Sequence, residues 1–86
     1  MMYLYTVVGR KMTILVRYFA VLRERKGCNQ EVVTLTTQVS VNDLYQKLFG
    51  EQSAGVRFAV NQMYVASSHL LQDGDELAFL PPLGGG

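Results

Sequence analysis

The sequence predicts an α+β domain, a mixed sheet of about five strands with one main helix packed on it and a short second helix. Three observations predict it. Short β-rich segments recur along the chain and are bounded by turn residues. Only one segment, 40–50, carries a full amphipathic helical stripe, and a lone helix of that kind needs something flat to cover. The final β-rich run is stopped by two prolines, so the sheet has a defined last member.

Residues 1–11 precede this pattern. Tyr3, Leu4, Tyr5, Val7 and Val8 have strand-like content, Gly9 breaks the run, and Met12 offers a second start. The expectation is an N-terminal extension that pairs on a sheet edge or stays mobile. From Met12 to Phe19, Ile14, Val16 and Tyr18 fall on one face and Leu15, Arg17 and Phe19 on the other. Both faces are largely apolar, which predicts a strand covered on both sides or lying centrally in the sheet. Residues 20–26 are good helix formers with Gly27 as a stop, placing Val21 and Leu22 inward and Arg23, Glu24 and Arg25 outward. The β-branched run 31–35, with Thr34, Thr36 and Thr37 toward solvent, then pairs with the first strand.

Ser40 starts the main helix: its hydroxyl can cap the first turn, Asp43 stands three residues on, and Val39 can staple onto Leu44. Val41, Leu44, Tyr45 and Leu48 make the apolar stripe, and Gly50 ends it. Beyond the loop 51–55, residues 57–60 and 63–66 form a hairpin about Asn61-Gln62. Leu70 and Leu71 anchor an irregular crossing, Asp73-Gly74-Asp75 is a turn, and Glu76–Leu80 is the last strand, with Leu77 and Phe79 on one face. The first and last strands are expected side by side and parallel at the sheet centre. The chain then divides into an extension (1–11), a domain (12–80) and a flexible tail (81–86).

Composition narrows the function. With 86 residues the chain is one domain. A net charge of +1, with the basic residues scattered, gives no electrostatic case for nucleic acid. Apolar residues reach 49%, more than a small core hides, so some apolar surface is expected to meet a partner. The single Cys28 excludes an internal disulfide and suits a reducing compartment. No apolar run reaches bilayer length and the N-terminus makes a poor signal peptide, which predicts a cytoplasmic protein that is not bound to membranes. Asp73, Asp75 and Glu76 sit too close together for a calcium loop and read as a polar turn; Cys28 and His69 have no sequence partner that suggests catalysis.

The tail is where chemistry is expected. Gly84, Gly85 and Gly86 add no packing area, yet without a Cβ they can thread a channel too narrow for other residues and present a bare carboxylate. Residues 81–86 reach about 20 Å when extended, enough to enter another protein's active site. A carboxylate is a poor electrophile until its oxygen becomes a good leaving group, and the chain has no phosphate-cradling loop, so activation must come from a nucleotide-binding partner.

Arg17-Tyr18-Phe19-Ala20 with Leu22-Arg23-Glu24, Ala59-Val60-Asn61-Gln62, the run from Leu71 to Phe79, and Pro81-Pro82 ahead of Gly85-Gly86 together resemble the ubiquitin-like β-grasp sulfur carriers, above all the small subunits of molybdopterin synthase. The resemblance spans residues 12–86. It implies a non-catalytic subunit that binds no cofactor or metal. An ATP-dependent adenylating enzyme forms an acyl-adenylate at Gly86, and a sulfur-donating enzyme supplies the sulfur of a thiocarboxylate. The tail, through Gly84 and Gly85, is threaded into the synthase large subunit, where sulfur passes to a pterin precursor of the molybdenum cofactor. A heterotetramer of two large and two small subunits is implied. Leu83, Pro82, Pro81 and Phe79 are then the candidate partner interface, with Tyr18 or Phe19 extending it. Gly84, where the family carries a side chain, and the extension are departures. Two rivals share the tail: a sulfur carrier for thiamine thiazole synthesis, and a ubiquitin-like protein modifier.

Overall fold

The computed structural model describes residues 11–82; residues 1–10, most of the predicted extension, and 83–86 lie outside the described residues. Seven elements follow in the expected order: β1 (Met12–Tyr18), α1 (Ala20–Lys26), β2 (Gln30–Leu35), α2 (Val41–Phe49), β3 (Arg57–Val60), β4 (Met63–Val65) and β5 (Glu76–Leu80). The sheet order is β2-β1-β5-β3-β4. β1 and β5 are parallel, with Val16 beside Leu77 and Tyr18 beside Phe79, and every other pair is antiparallel.

The helices lie on one face of the sheet, and side-chain alternation follows from that. Ile14, Val16 and Tyr18 point into the core, whereas Leu15 and Arg17 are half-buried on the open face. β1 is thus flanked by strands on both edges but covered by helix on one side only. Two short helices suffice for one face. Ser40 caps α2 as its sequence predicts, its hydroxyl oxygen accepting from the Asp43 N–H at 3.0 Å, and Gly50 closes the other end. Asn61 and Gln62 both take positive φ, +51° and +71°, the geometry of a tight β3–β4 hairpin. Asn61 also ties the hairpin to β5: its Oδ1 accepts from the Glu76 N–H and its Nδ2 donates to Asp75, both at 3.0 Å.

Two expectations about neighbouring apolar pairs are corrected. Leu22 is buried but Val21 is 50% exposed, because adjacent residues on a two-turn helix point about 100° apart. Leu71 is buried but Leu70 is 51% exposed, because the crossing is extended there and bridges to Ser40, so neighbours face opposite ways.

The middle of the core is aromatic. The Phe79 ring stands 5.2 Å from Tyr45, 5.8 Å from Phe58, 6.0 Å from Tyr18 and 6.1 Å from Phe49, centroid to centroid. Mostly tilted and edge-on contacts of this kind add to simple burial. The Tyr18 hydroxyl donates to Glu31 on β2, and Lys26 at the end of α1 stands 3.6 Å from the same carboxylate. Burial, aided by Glu31, pushes the Tyr18 phenol well above its ordinary value of 10.0.

Phe79→Ala should lower the free energy of unfolding by about 3–5 kcal/mol, read from urea denaturation at unchanged m-value. The fold holds Tyr18 as the neutral phenol, so its contribution is complete below about pH 10 and is lost as the pH climbs from there toward the folded-state value. Stability should therefore fall above about pH 10, and the fall should be shallower in Tyr18→Phe.

Candidate functional site

The site is the point where β5 ends. As the middle strand of five, β5 is hydrogen-bonded on both edges, and its C-terminal end is correspondingly fixed. Leu80 pairs with Arg57, the first residue of β3. Pro81 and Pro82 have no N–H to continue the ladder, so the chain departs there. Pro81 is half-buried and Pro82 exposed.

The segment 55–57 receives both prolines. Arg57 Nε donates to the Pro81 carbonyl at 3.2 Å. Its Nη1 donates to the Tyr64 hydroxyl at 3.0 Å, and its Cζ lies 5.4 Å from the centre of that ring. At Gly55, where φ is +77°, an added Cβ would stand 3.0 Å from Pro82 Cγ. Glycine is thus needed there twice, for the left-handed backbone and for the close approach.

Toward this tail root the open face of the sheet presents Arg17 from β1, Ala78 and Leu80 from β5, and Tyr64 from the edge strand β4, the last 68% exposed; Leu15 lies on the same face at the far end of β5, beside Glu76. Arg17 pairs with Glu76 at 3.2 Å and reaches over Phe19, 5.5 Å from its ring centre. A shallow depression of about 410 Å³ lies beside the root, lined by Val56, Arg57, Phe58, Tyr64, Val65 and Ser67. An apolar patch with charged side chains at its margin suits a protein partner.

The predicted site residues separate into three groups. Pro81 and Pro82 stand at the root as expected. Leu83, Gly84, Gly85 and Gly86 lie outside the described residues. Phe79 is a correction: it is fully buried among four aromatic rings, because the same parallel register that centres β5 turns its odd-numbered residues toward the helices. The even-numbered Leu80 faces outward in its place. Tyr18 is buried for the same reason, whereas half-buried Phe19 stays available to a partner. Arg57, Tyr64 and Gly55 escaped the sequence reading; the positions of Gly55 and Arg57 just before and at the start of β3 were the available signal.

Asp73 and Asp75 are occupied as turn residues. Asp73 accepts from the Thr13 N–H at 2.7 Å and Asp75 from the Gln72 N–H at 2.8 Å. Among the described residues no group of three His, Cys, Asp or Glu side chains is placed to hold a metal ion, and no helix is long and apolar enough to cross a membrane.

A mixed five-stranded sheet with a parallel central pair, helices on one face and a proline-stiffened exit from the middle strand defines a ubiquitin-like β-grasp protein. Residues 16–86 match the family described as the ThiS family, and the chain belongs to that family. It is 37% identical over 83 residues to a molybdopterin synthase sulfur carrier subunit of Chlamydomonas reinhardtii, covering 87% of this chain and all of that one. Among solved structures it is similar to a protein assigned as molybdopterin converting factor subunit 1 of Pyrococcus furiosus, with a TM-score of 0.70, 27% identity and coverage of 84% and 99% of the two chains. A chain in the complex of subunits 1 and 2 of the molybdopterin-converting factor of Helicobacter pylori shares the fold, with a TM-score of 0.55, 23% identity and coverage of 87% and 100%.

Gly55→Ala should lower stability by about 1–2 kcal/mol, from the strained backbone and the displaced Pro82 ring. Urea unfolding measures the loss, and the Pro82 carbon resonances should shift while those of Phe79 hold.

Proposed function

We propose that this chain is the sulfur carrier subunit of molybdopterin synthase, supplying sulfur from its C-terminus and performing no catalysis alone. One observation carries the reading: a chain that matches the whole length of a carrier of that name leaves the centre of its sheet through two prolines.

The chemistry divides between body and tail. The Gly86 carboxylate attacks the α-phosphorus of ATP in an adenylating enzyme, pyrophosphate leaves, and the acyl-adenylate is an electrophile the free carboxylate is not. Sulfide-level sulfur from a donating enzyme attacks the acyl carbon, AMP leaves, and the product is a thiocarboxylate. Gly84 and Gly85 give each partner a backbone without side chains to admit. In the synthase large subunit the sulfur passes to a pterin precursor, and two such transfers build the dithiolene that binds molybdenum. The pterin and the metal are cargo. The open face around Leu80, Tyr64 and Phe19 is the docking surface for the large subunit and the adenylating enzyme, and the complex is a heterotetramer in the cytoplasm.

Docking on a fixed root makes threading nearly intramolecular. With the body bound, only a handful of residues remain to be ordered, each at about 1–2 kcal/mol, which the surface contact must offset.

The intact chain purified from its own cells should include a species heavier by one oxygen-to-sulfur exchange. Deleting Gly86 should abolish molybdoenzyme activity and leave thiamine synthesis intact. Loss of thiamine synthesis instead would assign the chain to that pathway, and isopeptide conjugates through Gly86 would make it a modifier. Tyr64→Asp should weaken binding to the large subunit by roughly tenfold or more, in titration calorimetry, without changing the melting temperature.

A further inference from the structure

Backbone hydrogen bonding stops at Leu80, yet the first residue beyond it is still held. In the β3–β5 register Val56 stands opposite Pro81. Antiparallel ladder bonds fall at alternate pairs, and the Asn61 N–H bond to the Glu76 carbonyl places them at pairs that include Arg57 with Leu80. At the Val56–Pro81 step neither backbone faces the other, the Val56 N–H turns to the Ser53 carbonyl at 2.8 Å, and β3 gives the Pro81 carbonyl no backbone partner. Arg57 supplies the missing donor from its side chain at 3.2 Å.

A flexible side chain makes a poor tether unless it is itself held. Arg57 is held twice, by its 3.0 Å bond to the Tyr64 hydroxyl and by the Tyr64 ring beneath its guanidinium. Tyr64 lies directly across from Ala59, so it shares the open face with Arg57 two residues back along β3. On the opposite flank the Pro82 ring rests against Gly55. One three-residue stretch thus meets two successive tail-root residues, one through a carbonyl and one through a ring.

We propose that Arg57 is a positioning residue for tail delivery: steadied by Tyr64, it latches the Pro81 carbonyl and, with the Gly55 contact on Pro82, fixes the direction of the chain at Pro81 and Pro82. The proposal deepens the sulfur-carrier reading and rests on it. A root latched before binding need not be ordered during threading, so the latch lowers the KM of the carrier as a substrate and leaves kcat alone.

The test uses the full chain with three variants, Arg57→Met, Arg57→Lys and Tyr64→Phe. Backbone ¹⁵N relaxation at the residue-83 amide should show lower order in Arg57→Met and a smaller drop in Tyr64→Phe, with the melting temperature unchanged. With the adenylating enzyme plus ATP, and separately with the large subunit, Arg57→Met should raise the KM for the carrier roughly three- to tenfold at constant kcat. Arg57→Lys keeps the charge but cannot span Pro81 and Tyr64 together, so it should recover only part of the loss. Unchanged order at that amide overturns the latch. Full recovery by Arg57→Lys overturns it too, by assigning the effect to charge, and so does an unaltered KM in a variant whose amide order has fallen. A wild-type chain that neither enzyme accepts would sink the carrier reading, while the amide measurement would still decide the latch.

Discussion

Parallel pairing of β1 with β5 is the constraint on which the rest depends. Their register sets Val16 beside Leu77 and Tyr18 beside Phe79, four core residues in two adjacent rows. Because β1 is already flanked by β2, the pairing forces β5 to the middle of the sheet, where β3 closes its other edge. The C-terminal end of β5 is then held by two ladders and an aromatic core at once. A tail that leaves an edge strand would share in that strand's fraying. This one leaves the most constrained strand of the domain, and it leaves at a proline.

Much of this was legible in the residues. β1 and β5 show themselves by alternation, α2 by its Ser40 cap and stripe, and the β3–β4 hairpin by Asn61. Each of those signals is local, and each survived folding. What could not be read depends on pairs far apart in sequence. Phe79 looked like an interface residue because it adjoins the prolines, and only its register with Tyr18 and Phe58 shows that it points inward. Phe49 stacks on Tyr45 at 4.6 Å although it ends the helix, because it meets Tyr18 from another element. The Arg57–Pro81–Tyr64 contacts join the β3–β4 hairpin to the residue that follows β5, a meeting that no local signal announces. At the tail root the residue types were informative: proline locks φ and lacks an N–H, so the end of the ladder at Leu80 could be read from Pro81 and Pro82.

Body and tail have opposite requirements, and the structure keeps them apart at one residue. The body needs a single packed state, so its aromatic rings interlock and its buried hydroxyl finds Glu31. In the proposed function the tail serves more than one enzyme in turn, so any side chain shaped for one would be a liability in another. Prolines at the junction satisfy both sides. They stop the ladder cleanly and restrict the first two residues beyond it without adding a hydrogen-bond donor that a partner would have to satisfy.

The separation in sequence between β1 and β5 bears on how the protein is made. The Thr13 N–H waits for Asp73, sixty residues downstream, and Leu15 for Glu76. On a ribosome the first strand emerges long before its central neighbour, so the nascent chain cannot close its core during most of translation. Closure of the core therefore waits until β5 has been made. A polypeptide that stops short of β5 lacks the strand that organises the sheet, and it would be cleared as unfolded.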